Sequence, residues 1–542
     1  MATYATDLNT VNLADSSTGW AELSGHTSGA SPSADSENYI HNSVSVSQGT
    51  GQATGTNAGM QYDYGSNISW TTGEVFLMWQ YYTAPTNIQT WASGGMRFGI
   101  GSSSGNMRFW NAMGDDFSGS PYACWQNTAI DPEVTGDATD GSPTTGIYRY
   151  IGSLPNVRAK ITKGAPHACD VVRYGRGEIY ATGTGGTFAG YAAANDGSTA
   201  RWGLFQAVRG GYLWKGLLSL GQSGTSVTFT DSNTAIFIDD TPRIAAGFNK
   251  IEVNNSSSSV TWTGVSITGV TTSITGSAPI SAGDFEVIDN ATVAFTSCTF
   301  SDMGSFIFNG GTNDNDIIAC IFRRCGEVDT GGGLFDGCLF SNSEVANSVT
   351  TTDLAELVGC TFESDSSNHA IELTSIGDGT MDWDSTTTGY DSGSSGSPVT
   401  PTSTGNESLY VNVGSGTLTV NVASGATIPS IRSAGATVNV VAGQVTTTIT
   451  AVNASTQAVI QYARVYLIAA AGGPLTVGTE ILNAETNSSG VVTDTRSLAS
   501  DQPVEGWVRK GSATTYYKTS VISATIDNAT GLDLTIQMIP DE

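Results

Sequence analysis

Apolar residues in this chain gather in short runs bounded by Gly, Ser, Asn or Pro. In the first region these runs are Phe76-Leu77-Met78-Trp79-Gln80-Tyr81, Met96-Arg97-Phe98-Gly99-Ile100, Met107-Arg108-Phe109-Trp110 and Ile147-Tyr148-Arg149-Tyr150-Ile151. Aromatic and β-branched residues suit a pleated surface, and short strands separated by turn formers predict a sandwich or jelly roll over 61–235. Asp170-Val171-Val172-Arg173-Tyr174 and Arg201-Trp202-Gly203-Leu204-Phe205 would continue its two sheets. Residues 1–60 are polar and rich in Gly, Ser, Thr and Asn, which suits either an arm that orders on neighbouring subunits or the first strands.

From 236 to 445 the pattern becomes an internal repeat. Cys298-Thr299-Phe300, Cys320-Ile321-Phe322, Cys338-Leu339-Phe340 and Cys360-Thr361-Phe362 follow one another at spacings of 22, 18 and 22 residues, and Met381-Asp382-Trp383 comes 21 residues later. A small apolar residue two positions before an aromatic places both on one face of a strand. Repeating that pair once per coil stacks like on like, which predicts a right-handed parallel β-helix with Cys298, Phe300, Cys320, Phe322, Cys338, Phe340, Cys360, Phe362, Met381 and Trp383 as an interior ladder. Phe285-Glu286-Val287, Val293-Ala294-Phe295 and Phe306-Ile307-Phe308 would supply other faces of the coils. Ile251-Glu252-Val253 and Val265-Ser266-Ile267 precede the ladder, and Val411-Asn412-Val413, Val420-Asn421-Val422 and Val438-Asn439-Val440 follow it. Residues 391–405 read as a surface loop or short linker. The stretch 446–542 predicts a further β-sandwich. Its Ala463-Arg464-Val465-Tyr466-Leu467 and Thr486-Asn487-Ser488-Ser489-Gly490-Val491-Val492-Thr493 resemble the immunoglobulin- or transthyretin-like and carboxypeptidase-regulatory-like modules, a resemblance that implies binding or spacing and no chemistry. The predicted fold class is all-β throughout.

Composition agrees with that vocabulary, with 66 glycines and 39% hydrophobic residues, too apolar for a disordered chain. Aspartate and glutamate number 49 against 21 Lys and Arg, a formal charge of −28, which excludes nucleic acid as the main partner and disfavours anionic membranes. No apolar run is long enough for a spanning helix. Met1-Ala2-Thr3-Tyr4-Ala5-Thr6-Asp7 has neither a basic nor an apolar leader segment, so export by a signal peptide is not expected.

Candidate chemistry is sparse. Of the seven cysteines only Cys320 and Cys325 approach metal-pair spacing, and no histidine lies beside them, so the ladder cysteines read as reduced core residues. His26, His41, His167 and His369 are too few and scattered for a histidine-based centre, and His167-Ala168-Cys169-Asp170 is the one local cluster of nucleophile-like composition. A glycan-cleaving site would need two carboxylates flanking a glycosidic bond; Asp329, Asp336, Glu344, Asp353, Glu356, Glu363 and Asp365 fall on or near coils. Calcium is a weak alternative at Asn313-Asp314-Asn315-Asp316 or Asp137-Ala138-Thr139-Asp140-Gly141, against a plain polar turn. Trp70, Trp79, Trp91, Trp110, Trp125, Trp202 and Trp214 would serve as sandwich core or as a sugar platform, core being the commoner use. No catalytic, metal or cofactor residue is assigned.

In combination, the lectin-like sandwich, the Cys-x-Phe β-helix and the terminal immunoglobulin-like module resemble a virion structural protein of a tailed bacteriophage, of the fibre, spike or head-decoration type. The resemblance implies synthesis in the host cytoplasm, reduced thiols, a homotrimer, and contacts with other virion proteins or a host surface glycan. It also keeps open a tail-spike depolymerase acting on the β-helix; a secreted bacterial adhesin is a third reading, which the absence of an export signal disfavours.

Overall fold

The computed structural model describes residues 1–27, 30–49, 58–82, 96–111, 124–155, 167–239, 248–269, 283–288, 290–308, 315–341, 347–364, 368–423, 425–498, 500–511, 515–528 and 530–541. The chain is all-β, and among the described residues a single α-helix, Phe188–Gly197, interrupts the strands. It divides into two compact units, Met1–Asn315 with Arg324–Gly326, and Asp316–Arg323 with Glu327–Glu542.

The first unit opens with a sandwich. One antiparallel sheet runs Cys124–Ile130, Val75–Tyr82, His167–Gly175, Ser45–Gln48, Ser33–Asp35, with Asn9–Asn12 also paired to His167–Gly175. The other runs Ala138–Asp140, Asn106–Asn111, Met96–Ser103, Tyr150–Pro155, Ala58–Asp63, Trp20–Thr27. Residues 1–60 therefore contribute strands of the sandwich itself. Alternation sends Phe76 and Met78 between the sheets, against Met60, Phe98, Ile100, Trp110 and Ile151. Leu77 and Trp79 face the opposite way and are buried too, Trp79 against Val171 and Ala200. A strand buried on both faces is an unbroken apolar run, as Phe76 to Trp79 is in the sequence. Trp79, Trp110 and Trp214 are core, Trp70 packs against the core cluster and Trp125 beside Trp79, while Trp91 lies outside the described residues.

Parallel pairing begins at Glu178–Gly186, ahead of residue 236, where the sequence placed it. That strand pairs with Leu217–Leu220, then Lys250–Asn254, Asp284–Ile288 and Phe306–Phe308 follow in register. Val227–Ser232, Ser259–Thr263 and Thr292–Thr296 form a second face, and Gly211–Trp214, Ala235–Ile238, Ser266–Gly269 and Thr299–Ser301 a third. In the second unit Val328–Asp329, Asn347–Thr351, His369–Leu373, Leu409–Val411 and Ile431–Ser433 pair in parallel, as do Ile321–Arg323, Leu339–Ser341, Thr361–Glu363 and Thr386–Thr388. These are the coils of a parallel β-helix.

Like residues stack inside it. Trp262 lies on Phe295 at 4.4 Å and 5°, and Phe340 is sandwiched between Phe322 (5.1 Å) and Phe362 (4.9 Å), both at 8°. The fifth expected rung lies elsewhere: Phe362 pairs with Thr387, and Met381 and Trp383 belong to a separate three-stranded face, opposite Val420 and Val422. Ser385 takes the cysteine's place there, its hydroxyl reaching Leu357 O at 3.5 Å as the Cys360 thiol reaches Phe335 O at 3.3 Å. A hydroxyl makes the corner contact a thiol makes, so the rung changes composition and the Cys-x-Phe pattern fades from the sequence.

The coils share a corner the sequence did not reveal. The residue before each ladder position has positive φ: Gly264 (64°), Ser297 (53°), Ala319 (51°), Gly337 (62°) and Gly359 (58°). A left-handed residue turns the chain sharply between two sheet faces, and glycine adopts it without the Cβ clash that Ser297 and Ala319 bear.

The second unit ends in a sandwich of Val491–Ser497, Gln444–Asn453 and Leu532–Met538 against Glu480–Glu485, Arg464–Ala469, Gln502–Lys510, Tyr516–Ile526 and Pro540–Asp541. Ile449, Val465, Leu467, Val504, Val508, Ile522 and Met538 fill it. In the T-N-x-x-G turn, Thr486 Oγ1 donates to Ile460 O (2.6 Å) and accepts from Ala463 N (3.0 Å), Asn487 Oδ1 accepts from Ser489 N and Val491 N, and Gly490 takes a φ of 75°.

Candidate functional surfaces of the coils

Six cysteines, Cys169, Cys298, Cys320, Cys325, Cys338 and Cys360, are buried free thiols. The ladder thiols lie against carbonyls, Cys338 Sγ 3.2 Å from Ile317 O and Cys320 Sγ 3.5 Å from Ile318 O. The Cys320 thiol draws the Cys338 pKa down, but the Cys360 thiol and burial outweigh it and push Cys338 up to about 12. Such a thiol stays protonated and packs as a small hydrophobe.

His167, Cys169 and Asp170 share one strand and do not form a reactive set. Burial pushes His167 down to about 3, and neither ring nitrogen has a hydrogen-bond partner among the described residues. Burial pushes Cys169 up to about 12. Asp170, raised to about 6 by burial, accepts from the backbone N–H groups of Ile40 (2.6 Å), His41 (3.0 Å) and Val171 (2.9 Å), and so pins the loop ahead of Ser45. A neutral imidazole beside a protonated thiol generates no thiolate.

The outward faces of the coils carry the ionisable groups. In the first unit Lys250 sits against both Glu252 (3.1 Å) and Glu286, carboxylates on adjacent rungs that it neutralises. In the second unit register sets Asp329, Thr350, Glu372, Tyr410 and Arg432 in one row across successive coils. Of the carboxylates singled out in the sequence, the structure gathers Asp329, Asp353 and Glu356 with Glu327 around three threonines. Thr330 and Thr351 donate to Glu356, and Thr350 donates to Glu327. Burial raises both Asp329 and Glu356; the Thr330 and Thr351 donors pull Glu356 back, while Glu327 pushes Asp329 up and Asp353 pushes Glu356 up. Asp336 and Glu363 are exposed on other strands, with Glu363 accepting from Ser341 at 3.1 Å, and Glu344 and Asp365 lie outside the described residues.

The same row holds a group that sequence reading missed. Glu407 is buried and takes Arg432 Nε at 3.2 Å and Gly405 N at 3.0 Å. The Arg432 guanidinium lies 3.7 Å from the Tyr410 ring centroid and donates Nη2 to His369 Nδ1 at 2.9 Å, which leaves His369 Nε2 as the donor to Glu372 (3.3 Å). Burial, with Arg432 beside it, lowers the His369 pKa and keeps the ring neutral. Coils of unequal length separate these residues in the chain, so no spacing announces them. Glu407 is met by Arg432, and Glu372 accepts from Asn412 Nδ2 at 2.7 Å as well as from His369 on its own strand, so contacts between neighbouring coils lock rungs together.

Among the described residues no set of three or more His, Cys, Asp or Glu converges to hold a metal ion. Asp137 Oδ2 accepts from Asn111 N at 2.6 Å, Asp140 meets His26 at 2.8 Å and Asn315 Oδ1 accepts from Val293 N at 3.1 Å, while Asn313 and Asp314 lie outside the described residues. No described helix is long and apolar enough to cross a membrane.

No family model matches the chain, and no curated protein matches it in sequence. Among solved structures it is similar to an arabinose-bound α-L-arabinofuranosidase, MgGH51 (8% identity over 29% of this chain, TM-score 0.20), of which it spans 23%. It is also similar to the CBM22-1 xylan-binding domain of Paenibacillus barcinonensis Xyn10C (8% identity, 31% of this chain and 90% of that one, TM-score 0.18). A third is the catalytic unit of a GH87 α-1,3-glucanase from Streptomyces thermodiastaticus strain HF3-3 (12% identity, 79% and 96%, TM-score 0.16). At these TM-scores the likenesses carry no functional argument.

Proposed function

We propose that the protein is a non-enzymatic structural component exposed on a particle of the tailed-phage type, serving host adhesion or capsid decoration. The observation that supports this reading is the stacked β-helix interior, in which Phe322, Phe340 and Phe362 lie ring on ring and the outward charges are cross-linked between coils. Such an interior holds successive coils in register and leaves little for chemistry to act on, as suits a structural component. On this reading it is made in the host cytoplasm, associates with itself as a homotrimer and contacts other virion proteins. Mass spectrometry of purified virions with copy number tests it: a few copies per particle place it at the tail or a vertex, hundreds place it on the head, and none refutes the role.

One observation favours a second reading, a depolymerase. Asp329 and Glu356 are carboxyls with raised pKa around one threonine cluster, the state a general acid needs. New reducing ends released from host capsule or lipopolysaccharide by purified protein, and lost in Glu356→Gln, would replace the structural reading with the enzymatic one.

A further inference from the structure

The outer face of the five-stranded sheet in the C-terminal sandwich stands apart from the rest of this acidic chain. Alternation along Arg464–Ala469 buries Val465, Leu467 and Ala469 and turns Arg464 and Tyr466 outward; along Gln502–Lys510 it buries Val504 and Val508 and turns Trp507 and Arg509 outward. Antiparallel register then sets Tyr466 between Asn483 and Trp507, and Arg464 between Glu485 and Arg509. The two rings lie 5.6 Å apart at 32°, and the Arg509 guanidinium is 4.6 Å from the Trp507 ring centroid. Arg464 donates Nε and Nη2 to Asn483 Oδ1 at 3.0 and 2.6 Å. These six residues line an open depression of about 540 Å³.

Two features of that depression point to a ligand. Arginines directly opposite one another on adjacent strands repel, and among the described residues neither is in an ion pair, although the chain has more than twice as many acids as bases and ties Arg149, Arg324, Arg432 and Arg496 to carboxylates. The volume falls within the range of small-molecule sites, about 300–1,000 Å³. Two half-buried aromatic rings side by side offer a flat apolar surface with polar groups at its margin. The matching ligand has a ring with one apolar face, a carboxylate at its edge and hydroxyls around it.

We infer that this face binds a saccharide bearing a carboxylate. The sugar ring rests on Trp507 and Tyr466, the carboxylate lies between Arg464 and Arg509, where planar guanidinium donors suit it, and ring hydroxyls donate to Glu485. The inference rests on the adhesion reading for its biological sense, but binding is measured on the purified chain, so absence from virions and absence of binding are separate results.

The test is calorimetric titration of the full chain with trigalacturonate and with 3′-sialyllactose, against lactose as the neutral sugar and triglutamate as an acidic peptide. At least one acidic saccharide binds, lactose binds at least tenfold more weakly, and Arg509→Gln weakens binding about 10- to 100-fold, the effect of removing one charge-assisted contact. Trp507→Ala abolishes binding. Arg509 is exposed, so Arg509→Gln leaves the unfolding midpoint unchanged and decides the matter even where Trp507→Ala perturbs the fold. Failure of both acidic saccharides to bind, lactose binding as tightly as they do, unchanged affinity in Arg509→Gln, or preference for triglutamate each overturns the inference.

Discussion

Phe340→Ala is the sharpest test of the ladder. Phe340 is 2% exposed and lies between Phe322 and Phe362 with near-parallel rings, while Phe335 flanks it at 6.1 Å. Truncating a buried phenylalanine costs about 3–5 kcal/mol from lost transfer free energy and the cavity left behind. This site belongs at the upper end, because two stacked contacts are lost at once and each contributes about 0.5–1.5 kcal/mol beyond its area. Phe340→Leu keeps most of the volume and loses chiefly the two stacked contacts, so about 1–3 kcal/mol is expected. The control is Ile321→Ala, on the outward face of the adjoining rung and 36% exposed, expected to cost about 0.5 kcal/mol. Guanidinium unfolding followed by circular dichroism reads all three. In a solenoid each coil touches only its neighbours, so hydrogen exchange should accelerate at Phe322, Phe340 and Phe362 first. If Phe340→Ala shifts the midpoint no more than Ile321→Ala does, the interior assignment of the Cys-x-Phe face is wrong.

Ala319→Gly relieves a left-handed corner (φ 51°) and should stabilise by up to about 1 kcal/mol, whereas Gly337→Ala at the equivalent corner (φ 62°) should destabilise by about the same; a common sign for both in denaturant melts would refute the shared corner. Cys298, Cys320, Cys338 and Cys360 should resist alkylation in the native protein and label in denaturant, read by mass spectrometry; prompt native labelling of all four would contradict their burial. His167, held neutral with a pKa near 3, gives stability that is present above the unfolded value of about 6.5 and is lost as pH falls toward 3, a few kcal/mol at full effect. Asp170, raised to about 6, acts oppositely between about 3.8 and 6, its contribution being lost as pH rises. His167→Leu should therefore flatten the acid side of the stability profile or invert it, and an unchanged profile would show that His167 is not buried uncharged.

The parts legible in the sequence were those written in side-chain alternation. Cys-x-Phe states its face and its period together, and Phe76-Leu77-Met78-Trp79 states a strand buried on both sides. What escaped was written in the backbone or assembled across coils. Ser297 and Ala319 do not look like corner residues, because nothing in a serine or an alanine signals positive φ; comparison with Gly264, Gly337 and Gly359 at the same place in their coils would have shown it. The rung after Phe362 was misplaced because Met381-Asp382-Trp383 has the right spacing and polarity, while the true continuation, Ser385 and Thr387, replaces thiol with hydroxyl and ring with methyl. The Glu407, Arg432, His369 and Tyr410 group was invisible because coil insertions such as 391–405 carry its members far apart in the chain. The C-terminal face follows a different rule again. Arg464, Tyr466, Trp507 and Arg509 were each readable as outward positions of two strands, yet which strand lies beside which, and in what register, decides that two arginines oppose and two rings adjoin. Period fixes a face. Only register makes that face a site, so the chemistry of a solenoid or a sandwich lies in pairings that a linear chain does not display.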